Sequence, residues 1–252
     1  MTNELLTIVF INKNGGAVFG KALKAARQLS SKILVVDSGS TDESKSYADG
    51  VQAQWIEREW PGDFADQRNF AQSLVGTEWV LFLDSDEVIS ELLTTNIKTA
   101  IQSQSPCAFK FYRTNMMCGH PLKFGNMGPD TILRLYKTNE AHWEGKVHEK
   151  LVFDKQVEIR LIKGKALHYT YRNFSHWFDK NNTYALLWAK SHQTQSCSLG
   201  KVIGKTLFSF FRSYFIQLGF LDMGWGFVTS IMHSVYTFRK YTALYDLKHL
   251  ND

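Results

Sequence analysis

The chain has 252 residues, of which 44% are apolar and 21% are charged. This composition predicts one large folded domain, or a domain with an appendage, and excludes a disordered chain. The formal net charge of +5 favours anionic partners such as nucleotides or acidic lipid headgroups. The basic residues are dispersed along the chain and not concentrated in one motif, which argues against a nucleic-acid-binding protein.

Cysteine usage and the N-terminal sequence bear on the compartment. Cys107, Cys118 and Cys197 are odd in number and lack metal-binding spacing, so we expect a reducing compartment without structural disulfides. MTNELLTIVFINKN has an acidic residue before its apolar run and no small-residue cleavage site, so we expect no signal peptide. The longest uncharged run, from Met223 to Phe238, has 16 residues, fewer than the roughly 18 to 20 of a membrane-spanning helix. We therefore expect a cytosolic protein.

Predicted strands and helices alternate in the first half of the chain. Short apolar runs predict strands at Leu5–Ile11, Ile33–Val36, Gln54–Arg58 and from Trp79 onward. Between and after them, helix formers with capping residues predict helices at Ala17–Leu29, after Asp42, from Asp63 to Val75 and at Ser90–Ser103. Strand and helix in alternation predict the α/β class, with a mostly parallel sheet, right-handed crossovers and helices on both faces.

An acidic residue, Asp37, stands at the end of the second predicted strand. Ligands of open α/β sheets bind at the carboxyl ends of the strands, and an acid one βαβ unit into the chain is where such folds hold a nucleoside. The alternative is that Asp37 is only a turn residue beside Gly39. Two basic residues are placed near the same edge of the predicted sheet. Lys13 follows the first strand, and Arg68 lies near the start of the third helix, either beside a phosphate or nucleobase or as an exposed salt-bridge partner.

The sequence WVLFLDSDEVI, from Trp79 to Ile89, is an apolar run that ends in three carboxylates within four residues. Asp84 and Asp86 are two residues apart, so their side chains point the same way in an extended backbone. Two acids this close repel each other unless a cation lies between them. Mg²⁺ or Mn²⁺ suits such oxygen ligands and completes its shell with substrate phosphates. The alternative is that Asp84 or Ser85 caps the helix that begins near Ser90.

After Pro106 the strand and helix pattern changes. CAFKFYR and TILRLYK predict strands on either side of a long loop, Asn115–Asp130, which has the length of a lid or acceptor loop. HWEGKVHEKLVF then brings two histidines and two glutamates together. Val157–Ile162 and Ala166–Tyr169 predict two short strands, the second of which contains His168. This half of the sheet is expected to be antiparallel or mixed.

From Asn173 onward the sequence predicts helices rich in aromatic residues. The basic residues among them are Lys201, Lys205, Arg212, Arg239 and Lys240. Aromatic, basic and amphipathic helices without a full span suit the plane of an anionic bilayer surface. The alternative is a pair of helices that packs onto the sheet or onto a second subunit.

Several of these segments together resemble a known family. INKN, VVDSGSTDES, DQRNFA and FLDSDEVI resemble the family 2 glycosyltransferases of GT-A fold. VHEKL, His168, FFRSY and GFLD are similar to the bacterial lipopolysaccharide core glucosyltransferases, which add a β-linked glucose to inner-core heptose. The resemblance covers nearly the whole chain. It implies a Rossmann-like GT-A catalytic domain over residues 1–172, with a nucleotide-binding half at 1–105 and an acceptor half at 106–172, followed by a membrane-associating helical region at 173–252.

The resemblance also implies roles for individual residues. Asp37 matches the acid that binds uracil, and Arg68 matches a basic residue beside the nucleotide. Lys13 is a further candidate for nucleotide binding. Asp84 matches an acid near the ribose and the metal, Asp86 a metal ligand, and His168 a metal-binding histidine.

The catalytic base is matched by Glu149 of VHEKL. There His148 and Glu149 replace a more usual Glu-Asp pair, so Asp130 and Glu144 are alternative bases.

The resemblance implies an inverting enzyme with a UDP-glucose donor, Mg²⁺ or Mn²⁺ as cofactor, and a lipopolysaccharide or lipooligosaccharide core acceptor. Its location would be peripheral, on the cytoplasmic face of the bacterial inner membrane. The alternatives are a glycosyltransferase of another cell-surface polysaccharide, a nucleotidyltransferase and a non-catalytic glycolipid-binding module. INKNGG lacks the Gly-rich basic loop typical of nucleotidyltransferases.

Overall fold

The computed structural model describes residues 5–102, 107–145, 149–171 and 173–249. The chain forms two compact units, the first made of Met1–Arg113 with Asp130–His168 and the second of Thr114–Pro129 with Tyr169–Asp252. The expected division at residue 172 had placed residues 114–129 in the catalytic domain. They group with the C-terminal helices because Met117 and Leu122 are buried in one apolar cluster with Trp177 and Met232.

The strands in chain order are β1 (Leu6–Asn12), β2 (Lys32–Asp37), β3 (Gln54–Glu57), β4 (Trp79–Asp84), β5 (Glu87–Ile89), β6 (Cys107–Met117), β7 (His120–Pro121), β8 (Asp130–Lys137), β9 (Ala141–Glu144), β10 (Lys150–Phe153) and β11 (Glu158–Tyr171). The helices are α1 (Gly16–Leu29), α2 (Ser44–Gly50), α3 (Phe64–Ser73), α4 (Glu91–Ala100), α5 (Phe174–Ser191), α6 (Leu199–Phe211) and α7 (Met223–His249). Short 3₁₀ helices lie at Gly125–Met127 and Gly219–Asp222, and a π-helical turn lies at Arg212–Ile216.

The main sheet has the strand order β3-β2-β1-β4-β8-β6-β11-β5, with β7 paired to β6, while β9 and β10 form a separate ribbon. The first four strands in this order are parallel to their neighbours. From β4 to β8 onward the described pairings are antiparallel. The α/β class is confirmed, with a parallel first half and the antiparallel second half that the sequence predicts.

Apolar side chains fill both faces of the sheet in the first unit. On one face Phe10 and Trp79 pack with Phe19 of α1 and Leu93 of α4. On the other face Phe82 packs with Ala71 of α3, Tyr136 of β8 and Trp143 of the ribbon. Helices therefore cover both faces, as alternating strands and helices require.

The acidic run at the end of β4 does not continue as one strand. The chain turns after Asp84, and Glu87–Ile89 forms β5, which pairs antiparallel with β11. The cap of α4 is Ser90, whose Oγ accepts a hydrogen bond from the Leu93 amide at 3.3 Å. The alternative that Asp84 or Ser85 caps this helix is therefore wrong. The two predicted short strands around residue 160 form the single strand β11.

The second unit contains α5, α6 and α7, with α7 packed against the other two. Its two apolar clusters are centred on Trp177 and Met232 and on Val202 and Leu244. Among the described residues no single helix is both long and apolar enough to cross a membrane. Leu199–Ile216 and Gly219–His249, bent by 69° at their junction, meet that criterion only as a pair, by length and composition.

Gly164 sets how closely β11 passes α4. Its φ is +117°, and a Cβ at this position would lie 2.6 Å from both the Cα and the amide nitrogen of Leu93. We predict that Gly164→Ala lowers the free energy of unfolding by about 1–3 kcal/mol, because it adds overpacking and backbone strain. Urea denaturation measures the change. Gly50→Ala, which meets no atom within 4 Å, is the control, and equal stability of the two variants would contradict the prediction.

Candidate functional site

Asp37 lies at the end of β2, directly beside Asn12 at the end of β1. Its carboxylate accepts hydrogen bonds from Asn12 Nδ2 at 2.8 Å and from the amides of Gly39 and Ser40 at 3.0 and 2.7 Å. Both paired side chains are buried, with 1% of Asn12 and 2% of Asp37 exposed. Asp37 therefore shapes the loop after β2. Its contact with a nucleobase stays a prediction.

Hydrogen bonds also join the loops after β1 and β2. The Asn14 amide donates to Ser40 Oγ at 2.8 Å, and the Thr41 amide donates to Asn14 Oδ1 at 2.8 Å. Lys13 is exposed in the same turn. The two loops at this edge of the parallel sheet therefore form one structure. Sequence analysis missed Asn12, although a polar residue at the end of a buried strand was the available signal.

Arg68 of α3 is the buried centre of the site, with 2% of the residue exposed. Its Nη2 donates to Asp84 Oδ1 at 2.6 Å, and its Nε donates to Glu149 Oε1 at 3.1 Å. The guanidinium lies 4.9 Å from the ring centroid of Trp143. Burial alone would lower the pKa of Arg68, but the two carboxylates raise it. The alternative that Arg68 forms an exposed surface salt bridge is wrong. Arg68, Asp84 and Glu149, which are three of the predicted site residues, are in contact.

A second arginine, Arg134 of β8, approaches the same carboxylate. Its Nη2 lies 3.4 Å from Asp84 Oδ2, and its guanidinium lies 5.2 Å from the centroid of Trp143. Burial and the charge of Arg68 lower the pKa of Arg134. Sequence analysis missed this residue. The available signal was a basic side chain in the middle of the apolar strand TILRLYK.

Asp84 is thus paired with two guanidinium groups. Burial opposes its ionisation, but the charges of Arg68 and Arg134 hold the pKa of Asp84 well below its usual range. A carboxylate whose pKa is lowered by folding stabilises the folded state. This stabilisation is fully present at pH values above the unfolded-state pKa of about 3.9. This contribution is lost as the pH falls through the lowered pKa. The pairs formed by Asp84 therefore keep their full stabilising effect at neutral pH.

Asp86 and His168 form the next pair along the edge. Asp86 Oδ2 lies 3.3 Å from His168 Nε2, and both side chains are partly exposed. They meet because β11 pairs with β5, with His168 opposite Glu87. Burial opposes protonation, but the hydrogen bond and charge of Asp86 raise the pKa of His168. Within the described ranges, no group of three or more His, Cys, Asp or Glu side chains is arranged to hold a metal ion.

Glu87, the third acid of the run, is fully buried. Its Oε2 accepts a hydrogen bond from the Asp84 amide at 3.1 Å, and its Oε1 lies 3.4 Å from Arg113 Nη1. Burial and the charge of Asp84 raise the pKa of Glu87. Sequence analysis assigned no role to Glu87, which fixes the turn that carries Asp84 and Asp86.

The three candidate bases have different surroundings. The Glu149 side chain is 14% exposed and contacts Arg68. Asp130 is 47% exposed, and both of its carboxylate oxygens accept hydrogen bonds from Arg113, at 3.0 and 2.6 Å. Glu144 is exposed at the end of β9 and lies 3.0 Å from His142. The preceding residues of VHEKL, including His148, lie outside the described residues.

Comparison with known proteins identifies the family. The family model described as glycosyl transferase family 2 matches residues 7–148, more than half of the chain. The chain belongs to glycosyltransferase family 2. Its mixed sheet is of the GT-A type, and the protein is a nucleotide-sugar-dependent glycosyltransferase. The nucleotidyltransferase and non-catalytic alternatives are not supported by this membership.

Several curated relatives come from Rickettsia species. An uncharacterized glycosyltransferase of Rickettsia prowazekii is 27% identical over 257 residues, which cover 96% of this chain and 87% of the relative. Another, from Rickettsia conorii, is 27% identical over 256 residues, covering 96% of this chain and 90% of the relative. Neither description names a donor or an acceptor.

The solved structures that match are more distant. S. aureus TarS, residues 1–349, is 12% identical with a TM-score of 0.45, covering 98% of this chain and 92% of that one. Glucosyl-3-phosphoglycerate synthase from Mycobacterium tuberculosis, in complex with Mn²⁺, UDP and glucosyl-3-phosphoglycerate, is 17% identical with a TM-score of 0.36 and covers 44% of each chain.

The hydrogen bonds that Asp37 accepts should contribute to the stability of the fold. We expect Asp37→Ala to lower the free energy of unfolding by about 1.5–3 kcal/mol or more, because it leaves the buried Asn12 amide and two backbone amides without their charged acceptor. Urea denaturation measures the change. Glu59→Ala, which removes an exposed acid with no partner within the described ranges, is the control. An Asp37→Ala protein as stable as this control would contradict the prediction.

Proposed function

We propose that this family 2 glycosyltransferase transfers glucose from UDP-glucose to a heptose of a lipopolysaccharide or lipooligosaccharide inner core, with inversion at the anomeric carbon. The observation that carries the proposal is a set of connected contacts at the end of β4. Arg68 joins Asp84 to Glu149, and the Asp86–His168 pair follows directly after Asp84. The similarity of VHEKL, FFRSY and GFLD to core glucosyltransferases supports the choice of acceptor.

The donor nucleotide is assigned to the joined loops after β1 and β2. Asp37 would bind the uracil ring from the end of β2, and Lys13 is exposed in the neighbouring turn. Arg68 Nη1 is buried and has no hydrogen-bond partner among the described residues. A buried donor without a partner is costly, so a ligand oxygen beside Arg68 would remove that cost.

A divalent ion is assigned to Asp86 and His168. A carboxylate and an imidazole 3.3 Å apart fit an ion that keeps its other positions for water and diphosphate oxygens. When bound, Mg²⁺ or Mn²⁺ would neutralise charge on the departing diphosphate. Asp84, predicted as a further ligand, has its two oxygens directed to Arg68 and Arg134. Its metal contact therefore stays a prediction, and its present role is to position both arginines.

Glu149 is the catalytic base in this proposal. A sugar hydroxyl is a weak nucleophile, so a carboxylate must accept its proton as it attacks. Arg68 Nε donates a hydrogen bond to one oxygen of Glu149, which orients the carboxylate. Both oxygens of Asp130 accept hydrogen bonds from Arg113, so a sugar hydroxyl would have to compete with Arg113 for them. One base and one displacement invert the sugar, whereas retention would require a second carboxylate as nucleophile.

The acceptor would be anchored in a membrane, since core sugars are built on a lipid. We therefore place the enzyme at the cytoplasmic face of the inner membrane. The support is the basic and aromatic composition of the second unit, with five basic residues and one acidic residue between positions 199 and 240.

The metal assignment predicts that Asp86→Ala abolishes the effect of Mn²⁺ on UDP binding and abolishes transfer. His168→Ala should weaken the same effect, because it removes the second ligand. Calorimetry of UDP binding with and without Mn²⁺ measures both. Asp154→Ala, which changes an exposed acid of the ribbon region, is the control. A metal effect of wild-type size in Asp86→Ala would rule out the assignment.

The base assignment predicts that Glu149→Gln lowers turnover by roughly 10²- to 10⁴-fold while UDP-glucose affinity changes little. The amide oxygen of glutamine can still accept the hydrogen bond from Arg68, so the variant removes basicity and keeps shape. Steady-state kinetics and calorimetry measure the two quantities, with Glu59→Gln, at an exposed acid, as the control. If Glu149→Gln retained its turnover while Asp130→Asn or Glu144→Gln lost it, the base would be one of those residues.

A further inference from the structure

Two rows of large apolar side chains are exposed on the second unit. On α6 and its extension the row follows a four-residue spacing and consists of Leu199, Ile203, Leu207, Phe211 and Phe215. On α7 the row consists of Met223, Phe227, Ile231, Val235 and Phe238. Residues four apart share one face of a helix, so each helix exposes a continuous apolar stripe. Soluble proteins seldom expose contiguous apolar area of this extent without a partner.

The turn between these helices adds further apolar side chains. Ile216, Leu218, Phe220 and Leu221 are each between 43% and 58% exposed, and Met223 is 80% exposed. We call this segment, residues 215–223, the apolar turn. With Phe215, six of its nine residues therefore present large apolar surface to solvent.

Hydrogen bonds hold the apolar turn in place. The Gly125 amide donates to the Gln217 carbonyl at 2.9 Å, and Ser213 Oγ lies 2.9 Å from Ser230 Oγ. Asp222 accepts hydrogen bonds from the amides of Lys123 and Phe124 at 2.7 and 2.9 Å. The exposed side chains thus project from a fixed backbone, and the acid of this turn is used internally.

The charges near the stripes are basic. Lys205 and Arg212 are exposed beside them, and neither forms an ion pair among the described residues. Two copies of this face would bring those cations together, which opposes a dimer. An anionic lipid surface attracts the same side chains, by about 1 kcal/mol for each one near the surface.

We infer that the stripes and the apolar turn form a docking face that lies in the headgroup region of an anionic bilayer. This inference deepens the proposed location and rests on it for the choice of lipid. The apolar side chains would enter the acyl boundary, while Lys205 and Arg212 contact lipid phosphates. Exposed cations midway along α6 and its extension favour a helix pair that lies in the interface over one that spans the bilayer.

The test is flotation of the full-length protein with vesicles of phosphatidylethanolamine and phosphatidylglycerol, and with vesicles of phosphatidylcholine alone. The triple variant Ile216→Ser, Leu221→Ser, Met223→Ser should bind anionic vesicles about a hundredfold more weakly. The double variant Lys205→Gln, Arg212→Gln should bind them roughly thirtyfold more weakly. The double variant should differ little from wild type on phosphatidylcholine.

Matched variants in the first unit are the controls. Leu92→Ser, Ile159→Ser, Leu161→Ser removes three apolar side chains that are 59%, 48% and 45% exposed. Lys24→Gln, Lys155→Gln removes two exposed cations. Both controls should float like the wild type. Equal flotation of the docking-face variants and their controls would overturn the inference.

Two further measurements distinguish binding at a lipid surface from dimerisation and from insertion across the bilayer. Sedimentation velocity without lipid should show a monomer, and a dimer abolished by the triple variant would assign the face to a second copy and overturn the inference. Retention in vesicles at alkaline pH would indicate a spanning pair and would also overturn it.

Glucose transfer to a delipidated core oligosaccharide separates this inference from the proposed function. Transfer by a wild type that does not float would sustain the function and overturn the docking face. Specific flotation without transfer to any core acceptor would sustain the docking face and overturn the proposed function.

Discussion

The buried guanidinium of Arg68 is the constraint on which the carboxyl end of the parallel strands depends. Removing a cation from water is costly, and the cost is offset only when its partners are close and well aligned. Asp84 and Glu149 provide such partners at Nη2 and Nε of the group, and the Trp143 ring covers its face. Loss of one partner in such an arrangement typically costs about 3–5 kcal/mol. The positions of α3, β4 and Glu149 are therefore fixed relative to one another by electrostatics as well as by apolar packing.

Further pairs of oppositely charged side chains lie along the same edge of the sheet. Asp84 lies between Arg68 and Arg134, Glu87 lies near Arg113, and Asp86 meets His168. Each acid has a different partner, so each carboxylate has a different environment within four residues of chain. Asp84 is kept ionised by its arginines, whereas burial favours the protonated form of Glu87. One short acidic run in this way supplies a carboxylate that positions two arginines, a partner for a histidine and a buried structural acid.

The roles that depend on neighbouring residues in the sequence were predictable, whereas the contacts that depend on the register between strands were not. Residues close in the sequence were enough to predict Asp63 as a helix cap and Asp37 at the end of a strand. The alternation of strands and helices likewise predicted a parallel sheet. The pairing of Asn12 with Asp37 depends on the register between β1 and β2. The approach of Arg134 to Asp84 depends on how β8 is placed next to β4. In the second unit the sequence predicted helices, but the π-helical turn and the bend at Leu218 depend on tertiary hydrogen bonds.

The antiparallel pairing of β5 with β11 has a consequence for folding. Asp86 meets His168 across 82 positions of the sequence, and Arg68 meets Glu149 across 81. Contacts of such high sequence separation form slowly, because the entropy of closing the intervening loop is lost before the contact is gained. The parallel strands alone can assemble the loops around Asp37, but they cannot complete the site. Nucleotide-sugar binding that depends on metal would therefore report the final docking of the antiparallel strands, and would serve as a native-state probe in refolding experiments.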